Sequence, residues 1–150
     1  MNENNAVELL LVEDSPEDLE LALHSLKKAN LANRIHVARD GVQALEFIFC
    51  EGPFASRQIT DAPKVILLDL KLPKISGLEV LKRIKGDPRT KTIPVVVLTS
   101  SKEESDVVAS YQLGVNSYIV KPVNFERFAE AIRQLGLFWL LINHPPSGNG

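Results

Sequence analysis

The sequence has 150 residues, 45% of them hydrophobic and 24% charged, with a formal net charge of −2. That is room for one core, and it lacks the basic excess of a nucleic-acid binder. The lone Cys50 excludes an internal disulfide, no Cys/His set has zinc spacing, the first residues lack the basic stretch of a signal peptide, and no apolar run reaches the ~20 residues that span a bilayer. A single cytoplasmic domain over 1–150 is expected, its core about 6–136, with neither nucleic acid nor membrane as partner.

The chain reads as strand and helix in alternation, five times over. Glu8–Val12 is a short apolar strand ending at Glu13-Asp14. Ser15-Pro16-Glu17-Asp18 opens a helix, with Ser15 as N-cap, Pro16 in the first turn and acids favoured by the dipole. Arg34–Ala38 alternates as a strand. Asp40-Gly41 introduces a second helix with Val42, Leu45, Ile48 and Phe49 inward, followed by a long polar loop over Glu51–Pro63. Lys64–Leu68 is the third strand and stops at Asp69. Ser76-Gly77-Leu78-Glu79 has the pattern of a capping box, and that helix ends at Gly86-Asp87-Pro88 with a C-cap glycine. Pro94–Leu98 leads to Thr99-Ser100-Ser101; Ser101 and Glu104 form a second capping box for a helix closing at Gly114. Asn116–Val120 is the fifth strand, stopping at Lys121-Pro122. A last helix from Asn124 places Phe125, Phe128, Ala129 and Ile132 on one face.

Strands apolar throughout belong to parallel sheets covered on both faces, so the expected fold is doubly wound α/β: five parallel strands, flavodoxin-like order 2-1-3-4-5. Chemistry in such folds lies beyond the carboxyl ends of the strands. There the chain carries Glu13 and Asp14, Asp69, Thr99 and Lys121. Three carboxylates a few ångströms apart raise one another's pKa, and a hard divalent cation, Mg2+ or Mn2+, relieves this. Lys121 offers a positive charge to a phosphoryl oxygen and Thr99 a hydroxyl donor. A carboxylate can itself accept the phosphoryl group, and Asp69, ending the central strand, is best placed to do so.

These positions resemble the receiver domains of two-component response regulators, over nearly the whole chain. The resemblance implies that Asp69 is the phosphoacceptor and Asp14 the direct metal ligand. It further implies that Glu13 holds the metal through water, that the Lys71 backbone carbonyl is another ligand, and that Lys121 binds phosphate. Thr99 and Tyr118 match the family's switch residues, and the Lys121–Pro122 bond is expected to be cis. The extended Phe47–Pro63 segment and the tail Phe138–Pro145 resemble the stand-alone regulators serving bacterial and cyanobacterial phytochromes. The expected function is thus non-enzymatic. The chain accepts a phosphoryl group from a sensor histidine kinase, a phytochrome, supports its own transfer and slow dephosphorylation, and passes the signal through protein contacts.

Two rivals share the architecture. A flavin-binding module needs a first loop that cradles phosphate with amides and hydroxyls, whereas this one carries Glu13, Asp14, Glu17 and Asp18. An aspartyl-intermediate phosphatase needs an acid two residues after its nucleophile, where this chain has Lys71. Cys50 reads as a small hydrophobe, His24, His36 and His144 as surface or capping residues, and Lys82-Arg83-Ile84-Lys85 through Lys91 as a solvated face. The run Phe138-Trp139-Leu140-Leu141-Ile142, in the apolar extension 137–146, is too continuous to face one core. It is expected to be covered by a second copy in a homodimer.

Overall fold

The computed structural model describes residues 7, 9–29, 34–100, 109–115 and 117–135. β1 (Leu9–Val12), α1 (Pro16–Ala29), β2 (Ile35–Ala38), α2 (Gly41–Phe49), β3 (Val65–Asp69), α3 (Gly77–Gly86), β4 (Val95–Thr99), β5 (Ser117–Val120) and α4 (Phe125–Leu135) follow one another, with a helical turn at 109–112 before β5. All four strand pairings are parallel and the order is β2-β1-β3-β4-β5, as the sequence predicts. The capping pair Ser101 and Glu104, His144, and the apolar run Phe138–Ile142 lie outside the described residues. Among the described residues no helix is long and apolar enough to cross a membrane.

Successive strand side chains alternate between the two faces, and each face builds a core of its own. Leu10, Val12, Ile66, Leu68, Val95 and Val97 pack with Ala44, Leu45, Phe47 and Ile48 of α2 and Val80, Leu81 and Ile84 of α3. Leu9, Leu11, Val65, Leu67, Val96, Leu98 and Ile119 pack with Ala22 and Leu26 of α1 and Phe128, Ala131 and Ile132 of α4. The same alternation decides where the polar residues at the strand ends fall.

Several local expectations are corrected. In α2 the inward face is Ala44, Leu45, Phe47 and Ile48, while Val42 and Phe49 are only half-buried. In α4 Phe128, Ala129 and Ile132 are buried but Phe125 is 45% exposed. It is the first residue of the helix. Gly86 is not a left-handed cap: α3 runs through it into an extended Asp87 (φ −112°). The free carbonyls there are met from outside instead. The buried Thr90 hydroxyl donates to the Ile84 carbonyl (2.7 Å), while Lys85 Nζ, from within α3, ties down the loop that follows by donating to the carbonyls of Lys91 and Ile93 (3.0 and 2.8 Å). Lys85 is therefore a half-buried clasp rather than part of a solvated face. Ser76 caps α3 by accepting from the Glu79 amide (3.2 Å), but the Glu79 carboxylate pairs with Arg83. His36 is half-buried rather than fully exposed: its ring stacks on Phe47 at 4.1 Å, and burial lowers its pKa. Cys50 closes α2 in the left-handed region (φ 58°), half-buried, with its sulfur accepting from Arg57.

Candidate functional site

Glu13 follows Leu11 by two residues, Asp69 follows Leu67 by two, and Lys121 follows Ile119 by two, so all three continue the face covered by α1 and α4. β1 and β3 are neighbours, which brings Glu13 and Asp69 side by side. β5 lies two strands from β3, and the long Lys121 side chain spans the gap. Its Nζ stands 2.8 Å from Glu13 Oε1, 2.9 Å from Asp69 Oδ2 and 3.1 Å from Asp18 Oδ2. The Lys121–Pro122 peptide is cis, and the Lys121 amide donates to the Thr99 carbonyl (2.8 Å), tying the ends of β4 and β5 together.

Each carboxylate is also fixed by the backbone that follows it. Glu13 Oε2 accepts from the Ser15 amide (3.1 Å), and Asp69 Oδ1 from the Lys71 amide (3.0 Å). The loop after Asp69 is held by Leu70 N–H to the Leu98 carbonyl and by Gly77 N–H to the Leu70 carbonyl. Glu13 and Asp69 are buried and Asp14 is more open than either, yet one oxygen from each of the three lies within 4.8 Å of the others. Burial pushes the Glu13 carboxyl up to about 7; the Lys121 ammonium pulls it back only part of the way, and negative Asp69 adds to the rise. Burial works against charge on Lys121 too, but its hydrogen bonds to Glu13 and Asp69 outweigh this and hold the ammonium above the ordinary lysine value.

An all-oxygen set of three clustered acids with an open mouth fits a hard divalent cation, Mg2+ or Mn2+, better than a softer metal. The acids expected from the sequence, Glu13, Asp14 and Asp69, are thus brought together, and Lys121 with them. Thr99 is buried at the end of β4, continuing the row of Val95 and Val97 on the other face of the sheet. Tyr118 pairs with Val97 across β4–β5 and packs against that same core, its ring edge-on to Tyr111 at 6.3 Å. Sequence reasoning missed the role of two residues. Asp18 reads in sequence as a helix-dipole acid, yet it reaches Lys121. Gly77 reads as the second residue of a cap, yet a Cβ there would lie 2.2 Å from the Asp69 carbonyl oxygen. A Gly immediately after an N-cap was the available signal for close approach.

Fold and site together define a doubly wound α/β protein with a cation-competent acidic pocket at the carboxyl end of its sheet. The chain belongs to the response regulator receiver domain family, which matches residues 9–133. It is 42% identical over 132 residues to response regulator Rcp1 of Synechocystis sp., covering 88% of each protein. The crystal structure of the Mn2+-bound form of Rcp1 superposes with a TM-score of 0.74 at 40% identity, over 94% of this chain and 99% of that one. The bacteriophytochrome response regulator RtBRR is 54% identical with a TM-score of 0.84, over 95% of this chain and 85% of that one. The phosphorylated cyanobacterial phytochrome response regulator RcpA is 39% identical with a TM-score of 0.74, over 94% and 99%.

Proposed function

We propose that this receiver takes a phosphoryl group onto Asp69 from a phosphohistidine of a sensor histidine kinase of the phytochrome type. The observation that carries the reading is Asp69 itself. It is buried at the end of the central strand, one oxygen held by the Lys71 amide and the other by the Lys121 ammonium, beside Glu13 and Asp14. A carboxylate oxygen attacks phosphorus, the P–N bond breaks, and its electron pair stays on the imidazole, which is then protonated from solvent. Water later attacks the same phosphorus, the bond to Asp69 breaks, and inorganic phosphate leaves while Asp69 returns to carboxylate. Lys121 is the group that meets negative charge on the phosphoryl oxygens. Mg2+ or Mn2+, held by Asp14, Asp69 and the Lys71 carbonyl with Glu13 acting through water, would neutralise charge building up there. The chain has no enzymatic substrate in this reading, and its place is the cytoplasm.

Thr99 and Tyr118 are the proposed switch. A phosphoryl group gives the Thr99 hydroxyl a charge-assisted bond that the bare carboxylate does not, and Tyr118 follows it. The apolar residues Phe138–Ile142 are proposed to join two copies. The kinase with labelled ATP tests the core of the reading: wild type is labelled, excess EDTA blocks labelling, and Asp69→Asn is unlabelled. Label retained on Asp69→Asn overturns the assignment. Thr99→Ala should be labelled yet signal poorly, and Trp139→Glu should move a dimer toward monomer in sedimentation equilibrium.

A further inference from the structure

We propose that Asp18 is a positioning residue of the transfer site, holding the Lys121 ammonium at rest and yielding it when a phosphoryl group arrives. The inference rests on the reading of Asp69 as phosphoacceptor and adds to it a residue that opposes the loaded state.

An ammonium carries three protons, and Lys121 has three carboxylate partners: Glu13 at 2.8 Å, Asp69 at 2.9 Å and Asp18 at 3.1 Å. Its donor capacity is full. A phosphoryl oxygen can bond Lys121 only if one carboxylate lets go. Glu13 is 1% exposed, and without Lys121 its charge would keep only the Ser15 amide as a partner at that depth, a costly loss. Asp69 is the atom carrier of the incoming group and moves with it. The Asp18 side chain is 38% exposed, has the longest of the three contacts, and regains water when released. It is the partner that yields at least cost.

Position in the first turn of α1 supplies an ordinary reason for an acid here, since the helix dipole favours it. Glu17, its exposed neighbour in the same turn, draws on the same dipole, but the described ion pairs of Lys121 are with Glu13, Asp18 and Asp69 and not with Glu17. The two residues therefore separate a dipole effect from the hold on the lysine. Asp18 is set in place by its own amide, which donates to Ser15 Oγ (3.3 Å) at the start of the helix, so the carboxylate leaves a backbone already anchored. Bringing the phosphoryl dianion to Lys121 while Asp18 remains paired would place like charges about one lysine head group.

The probe is beryllofluoride, a phosphoryl mimic, titrated with Mg2+ into the full chain. Asp18→Asn keeps the shape and removes the charge, and should bind the mimic about fivefold more tightly, the scale of one partly exposed ion pair. Asp18→Ala should do the same, Asp18→Glu should return toward wild type, and Glu17→Gln should match wild type. A second readout is independent of loading. In 15N-lysine spectra of the mimic-free protein, the Lys121 Nζ signal should shift in Asp18→Asn and not in Glu17→Gln. Unchanged mimic affinity in both Asp18→Asn and Asp18→Ala, or an equal gain in Glu17→Gln, overturns the proposal. Failure of the underlying reading looks different: wild type would not bind the mimic, or Asp69→Asn would bind it as well as wild type does.

Discussion

Two glycines of α3 should respond to alanine with opposite signs, and one of them reports on Asp69, the proposed phosphoacceptor. Helix propensity alone makes either Gly→Ala change favourable by up to about 1 kcal/mol. At Gly86 nothing lies within 4 Å of the added Cβ, so that gain should be realised in part, as about 0.5 kcal/mol. At Gly77 the Cβ would sit 2.2 Å from the Asp69 carbonyl oxygen and 2.5 Å from Leu70 Cα, both backbone atoms. Ordinary C···O contact is about 1 Å longer than the first of these, and neither neighbour is a flexible side chain that can swing away. Either α3 lifts from the end of β3 or the Asp69–Leu70 backbone retreats, and overpacking of this kind costs about 1–3 kcal/mol. The clash thus exceeds the propensity gain. A shift of about 1 Å at Asp69 also spoils its alignment with Lys121, a displacement that elsewhere costs about 100-fold in rate. Urea unfolding of the two variants, with phosphorylation by a small-molecule phosphodonor measured in parallel, checks both effects. A Gly77→Ala protein as stable and as readily phosphorylated as wild type would refute the close-approach reasoning.

Glu13 makes metal-free stability depend on pH: its native-state value of about 7 lies above the ordinary 4.5, so its contribution is complete below about 4.5 and is lost as pH rises through 7. The loss is at most about 3 kcal/mol, and it should appear as a pH-dependent difference between wild type and Glu13→Gln in urea midpoints with EDTA present; a constant difference would count against it. Thr90→Val should cost about 1–2 kcal/mol in thermal or urea unfolding, because it strips the Ile84 carbonyl of its buried donor; no measurable change would show that the end of α3 finds water instead. Arg57 donates to the Phe47 and Asp61 carbonyls and lies 3.8 Å over the Phe47 ring, so Arg57→Ala should expose the 51–63 loop to limited proteolysis without affecting labelling of Asp69; an equally resistant loop would show that Phe54 alone holds it.

Much of the fold is legible because it is written at short range. All-apolar runs bounded by Glu13-Asp14, Asp69, Thr99 and Lys121 announce buried parallel strands, and the N-cap roles of Ser15, Asp40, Ser76 and Asn124 are met by bonds within four residues. The acids of the pocket are equally legible, since a residue ending a strand of a doubly wound sheet has only one end of the molecule to occupy. What the tertiary structure decided is which of these residues touch. Lys121 meets Asp69 across 52 residues of chain and Asp18 across 103, and the end of α3 is met by Thr90 rather than by a left-handed Gly86. Phe125 is left in water although its spacing matches the core face. Local propensity is settled by a residue and its few neighbours in sequence. An ion pair or a close backbone approach depends on strand order, register and helix seating, which are settled only when every apolar face in the chain is buried at once.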